Sequence, residues 1–240
     1  PSLISGCNFS PSTPSLISCS NPSPSTPSLI SCFLPCSLSK SCTRNILLPI
    51  DFAVFLVKTL LDALTYAHAL HDEAGHPLTL VHCDISPSNL FISRVGEIKL
   101  GDFGIAKVRK LDGATGPEKV FGKAYYLSPE QLDGVVRPSA DLWAALVTLY
   151  ELLTLERPFQ GKSADEVAKN IRAGKYVPLK EKRPDIPDAL AQVVATGLSV
   201  QPEQRYQTAE EVAKAITPYY NQDIGTPLAI AAVVRGLFGA

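Results

Sequence analysis

The chain has 240 residues, a length that corresponds to one or two domains. Hydrophobic residues make up 45% of it and charged residues 19%, a composition that is typical of globular proteins and excludes wholesale disorder. The 22 basic and 23 acidic residues leave a net charge of -1, so there is no basic excess for nucleic-acid binding, and no apolar run is long enough to span a membrane.

Residues 1–45 differ in composition from the rest of the chain. The pentapeptide Pro-Ser-Leu-Ile-Ser begins at Pro1, Pro14 and Pro27, and no charged side chain precedes Lys40. Proline and serine at this density oppose a periodic apolar face, so we predict a disordered, low-complexity tract. The chain opens on proline and contains no methionine, and we therefore expect it to be processed, truncated or mis-framed at its front.

From residue 46 onward the pattern is that of a folded and mainly helical chain. Apolar residues at helical spacing predict a long buried helix over 47–70. Three short strands are predicted next, over 78–82, 90–93 and 97–100. The remaining predicted elements are helices, at 139–155, 163–173, 187–199, 207–217 and 226–238. The predicted fold class is mainly α with a small β-hairpin cluster, and we expect the chemistry on the loops around that cluster.

Polar side chains suited to phosphoryl transfer lie around the predicted strands. Asp84 and Asn89 fall in the loop between the first two strands, and Asp102 follows the third. Because a hairpin brings the ends of adjacent strands together, we expect the three side chains to converge. Asn89 and Asp102 supply oxygen ligands for a hard cation such as Mg²⁺. Asp84 is then left to orient a hydroxyl nucleophile, which is the division of roles that phosphoryl transfer needs.

At these residues the sequence resembles the eukaryotic-type Ser/Thr protein kinase family. His82, Asp84 and Asn89 match the catalytic-loop pattern of His-Arg-Asp followed by Asn, and residues 102–104 match Asp-Phe-Gly. Ser128-Pro129-Glu130 stands where the family has Ala-Pro-Glu, and residues 141–159 and 201–206 resemble its central helix and its late arginine motif. All of these occur in the family's order over about residues 47–217.

The resemblance implies an enzyme that uses ATP and Mg²⁺ to phosphorylate Ser or Thr hydroxyls of a protein substrate. Asp84 would orient the substrate hydroxyl, and Asn89 and Asp102 would hold the magnesium bound to ATP. Phe91 would lie beneath the adenine ring. The resemblance also implies a cytoplasmic protein that has neither nucleic acid nor membrane as a partner.

Other matching positions imply packing rather than chemistry. Glu130 and Arg205 would form a buried pair that holds the substrate loop on the helical core. His82 would be a packed residue and not a general base. Leu146 occupies a position of the central helix where glycine is common, so we expect a local shift in helix packing.

Three substitutions lie inside the implied site. Ser86 stands where many members have a lysine, and Lys123 stands where the substrate loop has a threonine. Because the family fold places these two positions on either side of Asp84, our hypothesis is that the Lys123 ammonium supplies the missing charge; the alternative is a solvated loop lysine. Cys83 replaces the arginine that pairs with a phosphorylated activation loop.

A kinase also needs a smaller lobe with a Gly-rich loop and a lysine for the ATP phosphates. Residues 1–45 contain no such loop, so we expect the large lobe alone at 46–218, a tail helix at 219–240, and the missing lobe upstream. The chain by itself is then expected to be weakly active or inactive. Two alternatives stay open: a pseudokinase-like binding or regulatory module, and a gene fragment without function.

Overall fold

The structure is a computed structural model that describes residues 29–30, 47–78, 80–93, 95–101 and 124–238. Asp102 and Lys123, two of the predicted site residues, lie outside the described residues. The helices are α1 (Ile50–His68), α2 (Pro129–Leu132), α3 (Pro138–Thr154), α4 (Ala164–Arg172), α5 (Leu179–Lys182), α6 (Asp188–Gly197), α7 (Ala209–Ile216) and α8 (Pro227–Phe238). Short 3₁₀ turns lie at Pro87–Asn89, Pro202–Gln204, Thr217–Tyr219 and Gln222–Gly225.

The strands form an antiparallel sheet in the order β1 (Leu29–Ile30), β2 (Leu90–Ser93) and β3 (Ile98–Leu100). Leu90 pairs with Leu100 in the β2–β3 hairpin. β1 pairs with the other edge of β2, although it lies in the tract that we predicted to be disordered. The prediction differs from the structure at these two residues because Leu and Ile are strand-forming residues that find an open edge beside β2.

Helix α3 forms the centre of the fold. Of its 17 residues, those from Ala140 to Leu153 are all buried, and a helix that is buried on every side belongs in the core of a domain. Helix α1 packs on α3 with one apolar face, on which Phe52, Leu60 and Leu64 are almost fully buried. The predicted helix over 47–70 and the predicted central helix are thus confirmed, with ends within three residues.

Helices α4 and α7 are amphipathic and lie on the surface of this core. Each begins where a hydroxyl side chain accepts the backbone N–H of the third helical residue: Ser163 accepts from Glu166, and Thr208 accepts from Glu211. Both glutamates bond back to the backbone N–H just before the cap. This reciprocal capping satisfies helix N–H groups that would otherwise have no partner, and it sets the start of each helix.

The first predicted strand, over 78–82, is not a strand in the described part of the chain. The backbone N–H of Leu78 donates to Leu70, and that of His82 donates to the side chain of Asp141. These groups are therefore bound by a turn and by a carboxylate rather than by a neighbouring strand. Alternating residue types alone do not reveal such a partner, which lies 59 residues further along the chain.

The leucine that replaces the common glycine of the central helix has a matching partner. Leu146 is fully buried, and a Cβ atom added to Gly197 at the end of α6 would lie 1.7 Å from Leu146 Cδ1. Gly197 therefore makes room for Leu146, and the shift in helix packing stays a prediction.

In the described part of the chain, no helix has both the length and the apolarity that crossing a membrane requires.

Gly197→Ala is expected to destabilise the protein by about 1–3 kcal/mol, because the added methyl group overlaps a side chain held in a close-packed core. Thermal or denaturant unfolding measures the effect. The matched control is Gly236→Ala in α8, where an added Cβ meets no atom within 4 Å. When Gly197→Ala is combined with Leu146→Ala, the loss should be smaller than the sum of the two single losses; equal melting of the two glycine variants would contradict this packing.

Candidate active site

The loop that carries Asp84 is held by one buried carboxylate at the start of α3. Asp141 is 1% exposed, and its two oxygens accept the backbone N–H groups of His82 at 2.8 Å and of Cys83 at 2.9 Å. His68 Nε2, at the end of α1, lies 2.9 Å from Asp141 Oδ2. The N-terminal turn of a helix favours a negative charge, so Asp141 is well placed to fix the loop backbone.

Cys83 shows how tightly the loop turns at this point. Its φ angle is 62°, in the left-handed region that non-glycine residues rarely adopt. Such a conformation costs of order 1–3 kcal/mol and persists where surrounding contacts impose it. Here the bond from the Cys83 N–H to Asp141 imposes it. Burial, together with the negative charges of Asp141 and Asp84, raises the pKa of the Cys83 thiol to about 11.

His82 connects the loop to the end of strand β3. The ring is fully buried; Nδ1 accepts the backbone N–H of Asp84, and Nε2 lies 3.1 Å from the carbonyl oxygen of Gly101. Burial lowers the pKa of His82 below its usual 6.5, so the ring is neutral at pH 7 with its proton on Nε2. This geometry supports a packing and orienting role for His82.

Asp84 and Asn89 lie side by side in the loop. Asn89 Nδ2 donates to the carbonyl oxygen of Asp84 at 2.7 Å, and both side chains are more than 90% buried. The carbonyl of Asn89 in turn accepts the backbone N–H of Gly101. Because the amide nitrogen of Asn89 is used in this bond, its orientation is fixed and Oδ1 is the atom available to a cation.

Ser86 has a local bond at the centre of the same loop. Its hydroxyl lies 2.8 Å from that of Ser88, and its carbonyl accepts the N–H of Asn89. The side chain is short, buried and uncharged, so it brings no positive charge to the neighbourhood of Asp84.

Phe91 lies on β2 with its ring against the backbone of Gly101. A Cβ atom added to Gly101 would lie 2.3 Å from Phe91 Cε2, so any larger residue there would displace the ring. The ring is partly exposed, and it offers a flat apolar surface beside Asn89.

The predicted pair of Glu130 and Arg205 is present. Two parallel bonds of 2.8 and 2.9 Å join the guanidinium to the carboxylate, and the Arg205 side chain is 1% exposed. Burial alone would raise the pKa of Glu130, but the bonds from Arg205 outweigh it and hold that pKa below its usual value. Arg205 also stacks over the ring of Trp143 in α3, so helix α2, which carries Glu130, is fixed to the core.

A second set of polar side chains fixes the residues that precede Glu130 in the chain. The Tyr126 hydroxyl donates to Glu151 at the end of α3, and Arg157 lies close to the same carboxylate. Burial raises the pKa of both Tyr126 and Glu151. Arg157 also lies over the ring of Tyr125, 4.2 Å from its centroid. Residues 124–130 are therefore bound to α3 at two separate points.

Of the predicted site residues, the structure brings Asp84, Ser86, Asn89 and Phe91 to one end of the β2–β3 hairpin, while Asp102 and Lys123 lie outside the described residues.

The sequence analysis missed the roles of Asp141, His68 and Gly101. An available signal was Asp141 itself, because a carboxylate at the start of a helix that is otherwise apolar on all sides needs buried donors.

Comparison with known proteins agrees with this arrangement. The sequence profile of the protein kinase domain matches residues 22–216, which is most of the chain. The chain belongs to the protein kinase family, and its relatives place it with the bacterial-type Ser/Thr kinases. The match begins inside the Pro/Ser tract, and the division of the chain at residue 45 stays a prediction.

Three similar proteins illustrate the relationship. The chain is 38% identical over 192 residues to the tyrosine-protein kinase MasK of Myxococcus xanthus, covering 77% of this chain and 29% of MasK. It is 31% identical over 172 residues to the serine/threonine-protein kinase PrkC of Bacillus subtilis, covering 71% and 25%. A probable serine/threonine-protein kinase PknB of Lactococcus lactis is 32% identical over 177 residues, covering 73% and 27%. The chain thus spans between a quarter and a third of the length of these relatives.

The raised pKa predicts that Cys83 alkylates slowly. A shift from 9.0 to about 11 lowers the thiolate fraction near neutral pH by about 100-fold, and only the thiolate reacts. Iodoacetamide labelling at pH 7.5, followed by peptide mass spectrometry, gives the rate at Cys83. The control is the same peptide in urea-unfolded protein. Equal rates in folded and unfolded protein would contradict the burial and charge assigned to this thiol.

Proposed function

We propose that residues 46–218 are the large lobe of a Ser/Thr protein kinase that transfers a phosphoryl group from ATP to a protein hydroxyl, with 1–45 as a separate tract and 219–240 as a tail. The observation that carries the proposal is the fixed pair of Asp84 and Asn89. A bond of 2.7 Å joins them, and Asp141 and Gly101 hold the loop around them.

The side-chain oxygens that we propose as ligands suit Mg²⁺ bound to ATP, which is the cofactor that the family uses. In our proposal Asn89 Oδ1 and Asp102 hold Mg²⁺ with ATP, which supplies the phosphoryl group and neutralises its charge. The buried amide of Asn89 has one orientation, so its oxygen is ready to bind a hard cation. The ring of Phe91 forms the floor for the adenine.

Asp84 has the role of orienting the substrate hydroxyl and accepting its proton. Its backbone is fixed on one side by His82 and on the other by Asn89, so the carboxylate is positioned before substrate binds. Fixed geometry matters here because phosphoryl transfer depends mainly on positioning and on neutralising charge.

We place the charge that Ser86 lacks on Lys123. Ser86 is bonded to Ser88 and is uncharged, which leaves a position for a cation beside Asp84. The alternative stays that Lys123 is a solvated loop residue.

For the substrate we propose a protein with Ser or Thr at the phosphorylated position. Most of the relatives described above are named as serine/threonine-protein kinases, and MasK is named as a tyrosine-protein kinase. Phosphoamino-acid analysis of a labelled protein substrate distinguishes Ser/Thr phosphorylation from tyrosine phosphorylation. Phosphotyrosine alone would contradict the proposal. Since the reaction consumes ATP, we place it in the cytoplasm.

One observation favours a second function, that of a pseudokinase-like binding or regulatory module. The 240 residues contain no Gly-x-Gly sequence for a phosphate loop, and each missing charge-assisted contact to phosphate removes roughly 1.5–3 kcal/mol of binding. We therefore propose that this polypeptide, tested by itself, binds Mg·ATP weakly and turns over slowly.

Asp84→Asn is expected to retain the stabilisation by Mg·ATP and to lower phosphoryl transfer by about 10²–10⁴-fold, because the amide accepts no proton. Thermal shift gives binding, and incorporation of radioactive phosphate into a Ser/Thr peptide gives transfer. Wild type should gain about 2.7 kcal/mol when Mg·ATP is present at 100 times its dissociation constant.

Asn89→Ala should lose the magnesium-dependent part of that stabilisation, whereas Asn170→Ala, at a half-buried asparagine whose amide donates to the Gln160 carbonyl, serves as the matched control. In a protein that carries both lobes, the absence of a Mg·ATP shift and of transfer would contradict the enzyme and favour the binding module.

Lys123→Ala is expected to lower turnover by about 10–100-fold if its ammonium contacts the transferred phosphate, which is the worth of one charge-assisted contact. Adding Ser86→Lys to that variant should restore part of the rate, since both positions would supply the same charge. Steady-state kinetics in a protein that carries both lobes measures this. Unchanged turnover in Lys123→Ala ends the compensation hypothesis.

A further inference from the structure

The C-terminal segment 217–238, here called the C-terminal brace, lies outside the residues that match the kinase domain. It nevertheless packs on the lobe. Tyr220 contacts the ring of Phe55 on α1 at 5.6 Å between centroids, and a Cβ atom added to Gly225 would lie 3.1 Å from Phe55 Cε2. The brace therefore follows the surface of α1.

Helix α8 forms the second half of the brace. Thr226 accepts the backbone N–H of Ala229, and Pro227 occupies the first helical position, so the start of the helix is well defined. Ile230, Ala231 and Val234 form one buried face with 4% exposure or less. Such a face stabilises the packed position of the helix through apolar burial.

The start of α8 touches the tip of the β2–β3 hairpin. Gly96 lies in the hairpin turn with φ +87°, and a Cβ atom added there would lie 1.9 Å from the carbonyl oxygen of Pro227. Hairpin turns normally lie in solvent, but Gly96 is buried. Only a glycine allows the two backbones to approach this closely.

The other end of the same hairpin carries the candidate active site. Asn89 directly precedes β2, and Gly101 directly follows β3; the bond between them closes this end. Strands of this length extend about 13 Å, and a two-stranded hairpin has little stability of its own. Leu90 and Ile92 hold its middle in the core, and its two ends are held by the loop around Asn89 and by the brace.

We propose that the C-terminal brace is a positioning element of the active site: Pro227 packs on Gly96, fixes the β2–β3 hairpin, and so places Asn89 and Phe91 for Mg·ATP. The last step rests on the proposed function, whereas the coupling between brace and hairpin does not. The coupling acts in both directions, because an interaction between two elements stabilises each of them equally.

Amide hydrogen exchange of the whole chain, read by NMR, tests the coupling from the tail side. Ile230→Asp places a charge in the buried face of α8, and it is expected to speed exchange at Ser93 and Gly101 by about tenfold. Leu228→Asp adds the same charge to the same helix at a side chain that is 76% exposed, and it should leave both amides unchanged. The amides of α3 are the control that shows whether the fold is intact. If the α3 amides also exchange faster in Ile230→Asp, the variant Ile230→Ala is used in its place.

The reciprocal test starts from the hairpin. Gly96→Ala should speed exchange at Ile230, whose N–H bonds to Thr226, by about tenfold. The control is Gly75→Ala, which has a similar φ of +83° but no atom within 4 Å of the added Cβ. Strain at a turn alone would not reach α8, so a response at Ile230 identifies the contact.

Two results would overturn the coupling between brace and hairpin: wild-type exchange at Ser93 and Gly101 in the Ile230 variants, or wild-type exchange at Ile230 in Gly96→Ala.

Mg·ATP titration by calorimetry tests the positioning role. Ile230→Asp should weaken Mg·ATP binding several-fold, and Leu228→Asp should not. A protein that carries both lobes and binds no Mg·ATP contradicts the proposed function, while the exchange results still decide the coupling. Loosened hairpin amides with unchanged Mg·ATP affinity would refute the positioning role.

Discussion

The carboxylate of Asp141 joins three parts of the chain that are far apart in sequence: the end of α1, the loop before Asp84 and the start of α3. Hydrogen bonds to a charged group contribute roughly 1.5–3 kcal/mol each, which is enough to hold Cys83 in a left-handed conformation that costs about as much as one of them. Without this carboxylate, the backbone N–H groups of His82 and Cys83 would lose the buried acceptor that they share. The conformation of the loop around Asp84 is thus a consequence of the helical core and not of its own sequence alone.

The same dependence explains why the loop around Asp84 and residues 124–130 are both fixed to α3. Asp141 lies at the first turn of that helix, and Glu151 lies near its last turn, bonded to Tyr126. Between them, Trp143 supports Arg205 and through it Glu130. A helix that is buried on all sides does not move relative to the core, so groups attached along it keep fixed distances from one another. This is the preorganisation that a reaction governed by positioning requires.

Much of this arrangement is predictable from the sequence, for reasons that differ between elements. Helix α1 follows from apolar periodicity, since it buries residues at the helical spacing that the sequence displays, whereas α3 is a long, mainly apolar stretch that is buried on every side. The closeness of Asp84 and Asn89 follows from the short loop that joins them to β2. The strand predicted over 78–82 was wrong because its backbone groups bond to Leu70 and Asp141, and no local pattern encodes a partner so far along the chain. The fit of Leu146 to Gly197 is hidden for the same reason.

The β2–β3 hairpin shows what a local reading of the sequence leaves out. Its turn at Gly96 reads as an ordinary solvent-exposed tip, yet it is buried beneath Pro227. At its other end, His82 and Asn89 bond to Gly101. The hairpin is therefore restrained at one end by the loop that carries Asp84 and at the other by the C-terminal brace. Two strands of three and four residues are only marginally stable by themselves, so β2 and β3 depend on their packing on the core, where Leu90 and Ile92 are buried. The placement of Asn89 is therefore a property of the packed lobe, including a segment that the kinase profile does not cover.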